Sequence, residues 1–325
     1  MGAGPGRSPE AATAEGGDPP EPLRYVSRDA LPIRRRRCGR GFLYIDARGR
    51  RIADEGVLAR IRSLAIPPNY REVAIADDPQ AHLQATGLDD AGRLQYRYHP
   101  GWEVVRENEK LDRLATMARA IPRIRGRVAR DLARPGLEKE RVLAGVVQVL
   151  DRTHIRIGGE NYVHSGRSRG AATLLKGQVK LEEADVCLAF RGKGGREVRC
   201  AVDAPALARL VQELRALPGR RLFQYRNGGR VHRVASTDVN AYLQAISGVA
   251  VSAKDFRTLS ANAVAAARLA KLEPAESAAK RRRQVNAVVR EVAEMLGNTP
   301  AVARKSYIHA WVVQAFEEGR LAQLA

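Results

Sequence analysis

The sequence predicts an α+β chain: a small β-rich N-terminal domain, then a mainly helical domain carrying an inserted β-hairpin. Three observations support this class. Short apolar runs broken by turn residues fill the stretch from Gly41 to His99. From Glu103 onward the apolar residues recur at helical spacing. Between two of those helical runs, Gly192-Lys193-Gly194-Gly195 separates two strand-like segments, a good hairpin signal. The 325 residues suffice for two domains of about 100–200 residues each.

Residues 1–23 are rich in Gly, Pro and Ala and carry one Arg against four carboxylates, so a disordered tail is expected there. The β-rich domain is expected over 24–102. Phe42–Ile45 reads as a strand, Asp46–Gly49 as a turn and Arg50–Ile52 as its partner. Val57, Leu58, Ile61 and Leu64 share one face of a short helix that Ile66-Pro67-Pro68 ends. Further strands are expected at Glu72–Ala76, His82–Thr86 and Gln95–His99, the last two joined by Gly87–Gly92. The second domain, 103–325, is expected to hold helices at Glu103–Ala120, Leu137–Leu150, Ala204–Leu217, Ser236–Ile246, Thr258–Lys271, Gln284–Leu296 and Ala301–Leu321. Val186–Phe190 and Arg196–Ala201 form its hairpin.

Fifty-six Lys and Arg oppose 36 Asp and Glu, a formal charge of +20 that rises to about +23 once the acidic tail is set aside. Such an excess favours a polyanion, because each phosphate neutralised releases a condensed counterion. Only nine of those basic residues are Lys, a usage that codon bias toward Arg also produces. The basic residues are spread along the chain and do not gather in one amphipathic helix, which argues against a membrane surface. No apolar run approaches the roughly 18 residues of a membrane span. No signal segment is recognisable at the N-terminus. Cys38, Cys187 and Cys200 form no CxxC pair, so neither a zinc module nor a disulfide scaffold is indicated and a reducing, cytoplasmic setting is expected.

Four segments stand out. In Gly297-Asn298-Thr299-Pro300, a glycine ends one helix, and a Thr N-cap with Pro at the first helical position starts the next. That reading puts Tyr307 about two turns into a helix, beside Arg304 and Lys305. In Lys254-Asp255-Phe256-Arg257-Thr258, an Arg enters an Ala-rich helix, where burial demands an anionic partner; a structural ion pair with Asp255 would serve. Arg152-Thr153-His154-Ile155-Arg156 closes a helix with basic residues that complement its dipole. Lys193 sits on the hairpin tip among glycines that allow close approach to another surface.

Taken in chain order, Arg156, Lys193, Arg257, Asn298 and Tyr307 resemble the catalytic set of type IB DNA topoisomerases, most closely the bacterial and poxvirus-like branch. Ala65–Pro68, His82–Gly87 and Gly92–His99 resemble the N-terminal domain of that family, and Ser236–Leu243 its helical domain, so the resemblance covers roughly residues 24–320. It implies relaxation of supercoiled duplex DNA without ATP, by transient cleavage of one strand through a 3′-phosphotyrosine and religation. On that model Tyr307 is the nucleophile, Lys193 the general acid for the leaving 5′-oxygen, and Arg257 a ligand of the scissile phosphate. Arg156 would serve both phosphate stabilisation and proton transfer. Guanidinium groups then do by bidentate hydrogen bonding what metal ions do elsewhere. No metal, nucleotide or other cofactor is expected; the sequence has no Gly-rich Lys-Ser/Thr phosphate loop. The partner implied is duplex DNA, clamped by a monomer in the cytoplasm at the nucleoid.

The same resemblance points to Gln95 and Tyr96 as residues facing the major groove, and to Lys254 and Asn262 as residues near the cleaved strand. Arg34–Arg37 and Lys280–Arg283 read as phosphate contacts or solvated runs. Four positions depart from the family pattern. Asn298 stands where poxvirus members have His, Leu259 where an aromatic is common, Arg169-Gly170 where an aromatic-Gly pair is common, and Leu94 where a polar or basic residue is frequent. The alternatives are a tyrosine site-specific recombinase, which shares the Arg/Lys/Arg/Tyr logic, and a catalytically degenerate DNA-binding homologue. The β-rich N-terminal domain and Asn298 speak against the first, the intact core residues against the second.

Overall fold

The computed structural model describes residues 22–160, 163, 168–183 and 185–323. The tail expected over 1–23 therefore lies, but for its last two residues, outside the described residues. The chain forms two compact units that part between Arg106 and Glu107.

The first unit is built on an antiparallel five-stranded sheet in the order β2-β1-β3-β4-β5. Its strands are β1 (Ile33–Cys38), β2 (Gly41–Ile45), β3 (Arg71–Ile75), β4 (Leu83–Leu88) and β5 (Leu94–Tyr98). Helix α1 (Glu55–Ser63) is capped by the Asp54 carboxylate, which accepts from the Val57 N–H at 2.9 Å. Its Ile61 completes a core with Ile33, Val73, Ile75 and Ala85. One expectation is corrected here. The partner of β2 is β1, formed by the Arg34–Arg37 run itself, while Arg50–Ile52 contributes only a single bridge at Arg51. Arginines suit this strand because Arg35 makes packing and hydrogen bonds at once. Its guanidinium lies 4.1 Å from the Phe42 ring centroid and donates to the carbonyls of Pro67 at 3.1 Å and Tyr70 at 2.6 Å.

In the second unit the main core joins α2 (Trp102–Leu132, which crosses the division), α3 (Lys139–Thr153), α4 (Pro205–Arg215) and α5 (Ser236–Ser247) to a small sheet. That sheet runs β6-β7-β8, with β6 (Val179–Glu182), β7 (Asp185–Arg191) and β8 (Glu197–Asp203). The expected hairpin is its β7–β8 pair, to which β6 is an addition. A second hairpin, β9 (Gln224–Asn227) and β10 (Arg230–Arg233), turns at Gly228-Gly229. Helix α2 does not stop at Ala120. It continues through Pro122 because Met117, Ile121, Ile124, Val128 and Leu132 hold one buried stripe across the missing N–H.

A second core gathers α6 (Ala253–Leu269), α7 (Ala278–Met295), α8 (Pro300–Ser306) and α9 (Ala310–Glu317). Here the single helix expected over Ala301–Leu321 is corrected to two. Tyr307 leaves helical geometry at φ −124°, and the His309 imidazole caps α9 by accepting from the Trp311 N–H at 3.0 Å. Ala303 before the break, Ile308 within it, and Val312, Val313 and Phe316 after it are all buried. The apolar period runs through it, so periodicity alone reads one helix.

Candidate active site

Five of the residues singled out in the sequence line one concavity of the second unit. Cavities of about 310 and 530 Å3 share Arg156, Lys193 and Arg257 in their walls, and Tyr307 and Lys254 border the smaller one. Each side chain is delivered by a different local device.

Arg257 lies a turn into α6, whose start is fixed by a capping box. The Asp255 carboxylate accepts from the Ser252 N–H at 2.7 Å and is bound by Arg113 at 2.8 Å. The structural ion pair considered for Arg257 and Asp255 is therefore replaced by Arg113–Asp255. Buried Arg257 instead donates to the carbonyls of His154 and, at 2.8 Å, Leu296, and its Nε reaches the Tyr307 hydroxyl at 3.4 Å. The guanidinium carbon stands 5.1 Å from the Tyr307 ring centroid. His154 offers its carbonyl from the left-handed C-cap of α3, φ +54°, with its ring 3.0 Å from the Ser260 hydroxyl. Two helix ends thus face their carbonyls toward one cation, which offsets the cost of burying it.

Arg156 follows that C-cap. The backbone beyond it crosses Gly170 so closely that a Cβ on Gly158 would stand 2.8 Å from the Gly170 nitrogen, and Gly158 itself has φ +78°. Only glycine fits this crossing. The Arg156 guanidinium donates to the Asn298 side-chain oxygen. Asn298 is buried, and among the described residues its amide nitrogen has no hydrogen-bond partner. Lys193 is exposed on a 3-10 turn, Lys193–Gly195, at the tip of the β7–β8 hairpin.

Tyr307 is buried at 8% exposure and occupies the C-cap of α8, not the middle of a helix. Asn262 braces that position. Its amide nitrogen donates to the Tyr307 carbonyl at 2.8 Å and its oxygen accepts from the His309 N–H at 2.8 Å. Asn262 is itself buried, so its side chain acts on the tyrosine's backbone and does not face outward. Burial pushes the Tyr307 phenol up, but the Arg257 charge and hydrogen bond, aided by Arg156 and Lys254, outweigh it and hold the phenol below its ordinary value. Lys254 is exposed beside the smaller cavity.

In the first unit, Tyr96 is exposed and stacks on Tyr98 with ring centroids 6.0 Å apart, both on one face of β5. Gln95 points to the other face, and its amide donates to Asp89 at 2.9 Å. Among the departures, Leu259 packs against the main core, Leu94 pairs with Leu88 at the strand end, and Arg169 lines both cavities. Arg169 is expected from the sequence only as a departure from the family pattern, and Arg196 and the His154 carbonyl join the site without a role expected for them. The position of Arg196, directly after the glycine-rich turn, was the available signal. His154 contributes a backbone carbonyl, which no side-chain pattern discloses.

Comparison with known proteins agrees along most of the chain. Residues 100–322 match the family described as eukaryotic DNA topoisomerase I, catalytic core, and residues 41–89 match the N-terminal domain of bacterial DNA topoisomerase IB. DNA topoisomerase 1B of Acanthamoeba polyphaga mimivirus is 30% identical over 294 residues, spanning 88% of this chain and 87% of that protein. Among solved structures, the XerH site-specific recombinase bound to a palindromic difH substrate, in its post-cleavage complex, is 14% identical with a TM-score of 0.39. That match covers 63% of this chain and half of the recombinase. Its pre-cleavage complex matches with a TM-score of 0.37, covering 62% of this chain and 51% of that one.

Proposed function

Given that the chain belongs to the type IB DNA topoisomerases, we propose that it relaxes supercoiled duplex DNA through a covalent 3′-phosphotyrosine on Tyr307. The observation that carries this reading is the Tyr307 hydroxyl held by buried Arg257 in a cavity whose walls add Arg156 and Lys193.

The reaction follows from those groups. The phenol loses its proton to water, and its oxygen forms a bond to the scissile phosphorus while the bond to the 5′-oxygen breaks. The negative charge gathering on the non-bridging oxygens is met by Arg156 and Arg257 and by the amide N–H of Asn298, whose side-chain oxygen holds Arg156. Lys193 gives its proton to the departing 5′-oxygen, a role for which an ammonium suits better than a guanidinium, whose pKa is too high. Religation runs the same steps backward: the 5′-hydroxyl attacks, Lys193 takes the proton back, and the phenolate leaves. Because the phosphotyrosine keeps the free energy of the broken bond, no ATP is consumed. Lys254 and the Tyr96–Tyr98 face are the proposed duplex contacts, and the active species is a monomer.

The test is relaxation of supercoiled plasmid without ATP or Mg²⁺, with denaturant added to trap the protein–DNA adduct. Relaxation and an adduct with the wild-type chain, and neither with Tyr307→Phe despite retained DNA binding, support the reading. Relaxation by Tyr307→Phe removes Tyr307 from the reaction, and binding without any adduct makes the chain a DNA-binding homologue.

A further inference from the structure

The turn that carries Lys193 is a glycine-rich tip with little of its own to hold it. Gly194 and Gly195 both take φ +74°, and the turn closes on itself through Gly195 N–H to the Gly192 carbonyl at 3.1 Å and Gly192 N–H to the Arg196 carbonyl at 2.8 Å. Among the described residues, one hydrogen bond leaves the tip for another element. The Arg196 guanidinium donates to the backbone carbonyl of Asn298 at 2.8 Å. Asn298 is itself well fixed: its N–H donates to the Ala293 carbonyl at 2.8 Å, and its side chain accepts from Arg156. Arg196 and Lys193 border the same 530 Å3 cavity as Arg156 and Arg257.

From this arrangement we infer that Arg196 is a positioning residue, a latch that docks the hairpin tip onto the segment preceding Tyr307 and so presents Lys193 to the reacting phosphate. The inference rests on the reading of Lys193 given above. The physical argument is one of entropy and reach. A lysine on a turn with two left-handed glycines samples many placements, and general acid catalysis needs its ammonium within hydrogen-bond distance of one oxygen. A charged donor on a backbone carbonyl is a strong single tether, because the carbonyl cannot swing away as a side chain can. The latch also joins the acid to the same short segment that holds Arg156 and leads into α8, so one backbone positions groups on both sides of the scissile bond.

The test uses the full chain and single-turnover cleavage of a duplex oligonucleotide, comparing Arg196→Ala, Lys193→Ala and the double variant. Loss of a charge-assisted bond corresponds to roughly a tenfold or greater fall in cleavage rate. Arg196→Ala should show that fall with unchanged DNA affinity, and Arg196→Lys, which keeps a donor, should recover part of it. In the Lys193→Ala background, Arg196→Ala should have no further effect. If the two losses multiply, or if affinity falls by the same factor as rate, Arg196 acts on DNA directly and the latch is wrong. If the effect persists without Lys193 but vanishes in Asn298→Ala, Arg196 serves Asn298 instead, which also overturns it. A substrate with a 5′-thiolate leaving group separates this inference from the reading it rests on. Failure to rescue Lys193→Ala refutes the general-acid role, whereas rescue of Lys193→Ala but not of Arg196→Ala refutes the latch.

Discussion

Replacing Asn262 with alanine exposes how the tyrosine is held. The wild-type amide spans the break between α8 and α9, donating to the Tyr307 carbonyl and accepting from the His309 N–H, each at 2.8 Å and each buried. Alanine removes both partners at once and leaves two buried backbone groups unsatisfied. At about 1–3 kcal/mol for each group, the expected loss of stability is roughly 2–6 kcal/mol, a large part of the ~5–15 kcal/mol typical of a folded domain. Urea unfolding measures it as a lower midpoint at unchanged slope. Single-turnover cleavage should fall in parallel, since the backbone that aims the phenol has lost its brace. Asn262→Asp sharpens the test. The carboxylate still accepts from His309 but sets a negative oxygen against the Tyr307 carbonyl, so it should do no better than alanine. A midpoint shift worth less than about 0.5 kcal/mol, with cleavage unchanged, would refute the brace and leave the break to the His309 cap alone.

Three further outcomes are expected. Because Arg257 supplies the largest force lowering the Tyr307 phenol, the alkaline limb of the cleavage rate should level off below the ordinary tyrosine value of about 10, and Arg257→Gln should move that limb upward; an unmoved limb contradicts the assignment. His154 is held below its ordinary value, chiefly by burial, so the unfolded chain takes up the proton first. Its contribution to stability is present above about pH 6.5 and is lost as pH falls through the folded value. His154→Asn, tolerated at a positive φ, should flatten the decline in unfolding midpoint as pH falls below about 6.5; an equally steep decline would show that His154 does not carry it. Gly170→Ala would place a Cβ 2.7 Å from the Gly158 Cα, where only backbone could give way. It should cost about 1–3 kcal/mol and slow cleavage by displacing Arg156, and an unaltered midpoint and rate would contradict the close crossing.

The candidate site residues were legible in the sequence chiefly as a set, because Arg156, Lys193, Arg257, Asn298 and Tyr307 in chain order carry the family resemblance that no one segment carries alone. A glycine and a Thr-Pro pair precede Tyr307 and glycines surround Lys193, whereas the helix of Arg257, expected to begin at Thr258, begins at Ala253 behind a Ser252–Asp255 capping box. What escaped depends on partners distant in the chain. Asn262 reads as a polar residue in an Ala-rich helix, and its work appears only when Tyr307 and His309, 45 and 47 positions away, fold against it. The strand at Arg34–Arg37 is hidden by its charge, since a run of arginines looks solvated until Phe42 and the carbonyls of Pro67 and Tyr70 are placed around Arg35. The split of the last helix is hidden by its apolar period, which persists through a break made by side-chain caps.

The contact between Arg257 and the Tyr307 hydroxyl also bears on how long a DNA break lasts. A phenol made more acidic is a weaker nucleophile but a readier leaving group, whereas the sugar 5′-oxygen competing with it stays strongly basic. In the proposed mechanism, the guanidinium that helps the bond form therefore helps more when that bond is to be given up, and it tilts the internal equilibrium toward intact strands. On the proposed reaction, the lifetime of the nick, and with it the number of superhelical turns released per opening, is tuned by one buried cation and two helix-end carbonyls that hold it in place.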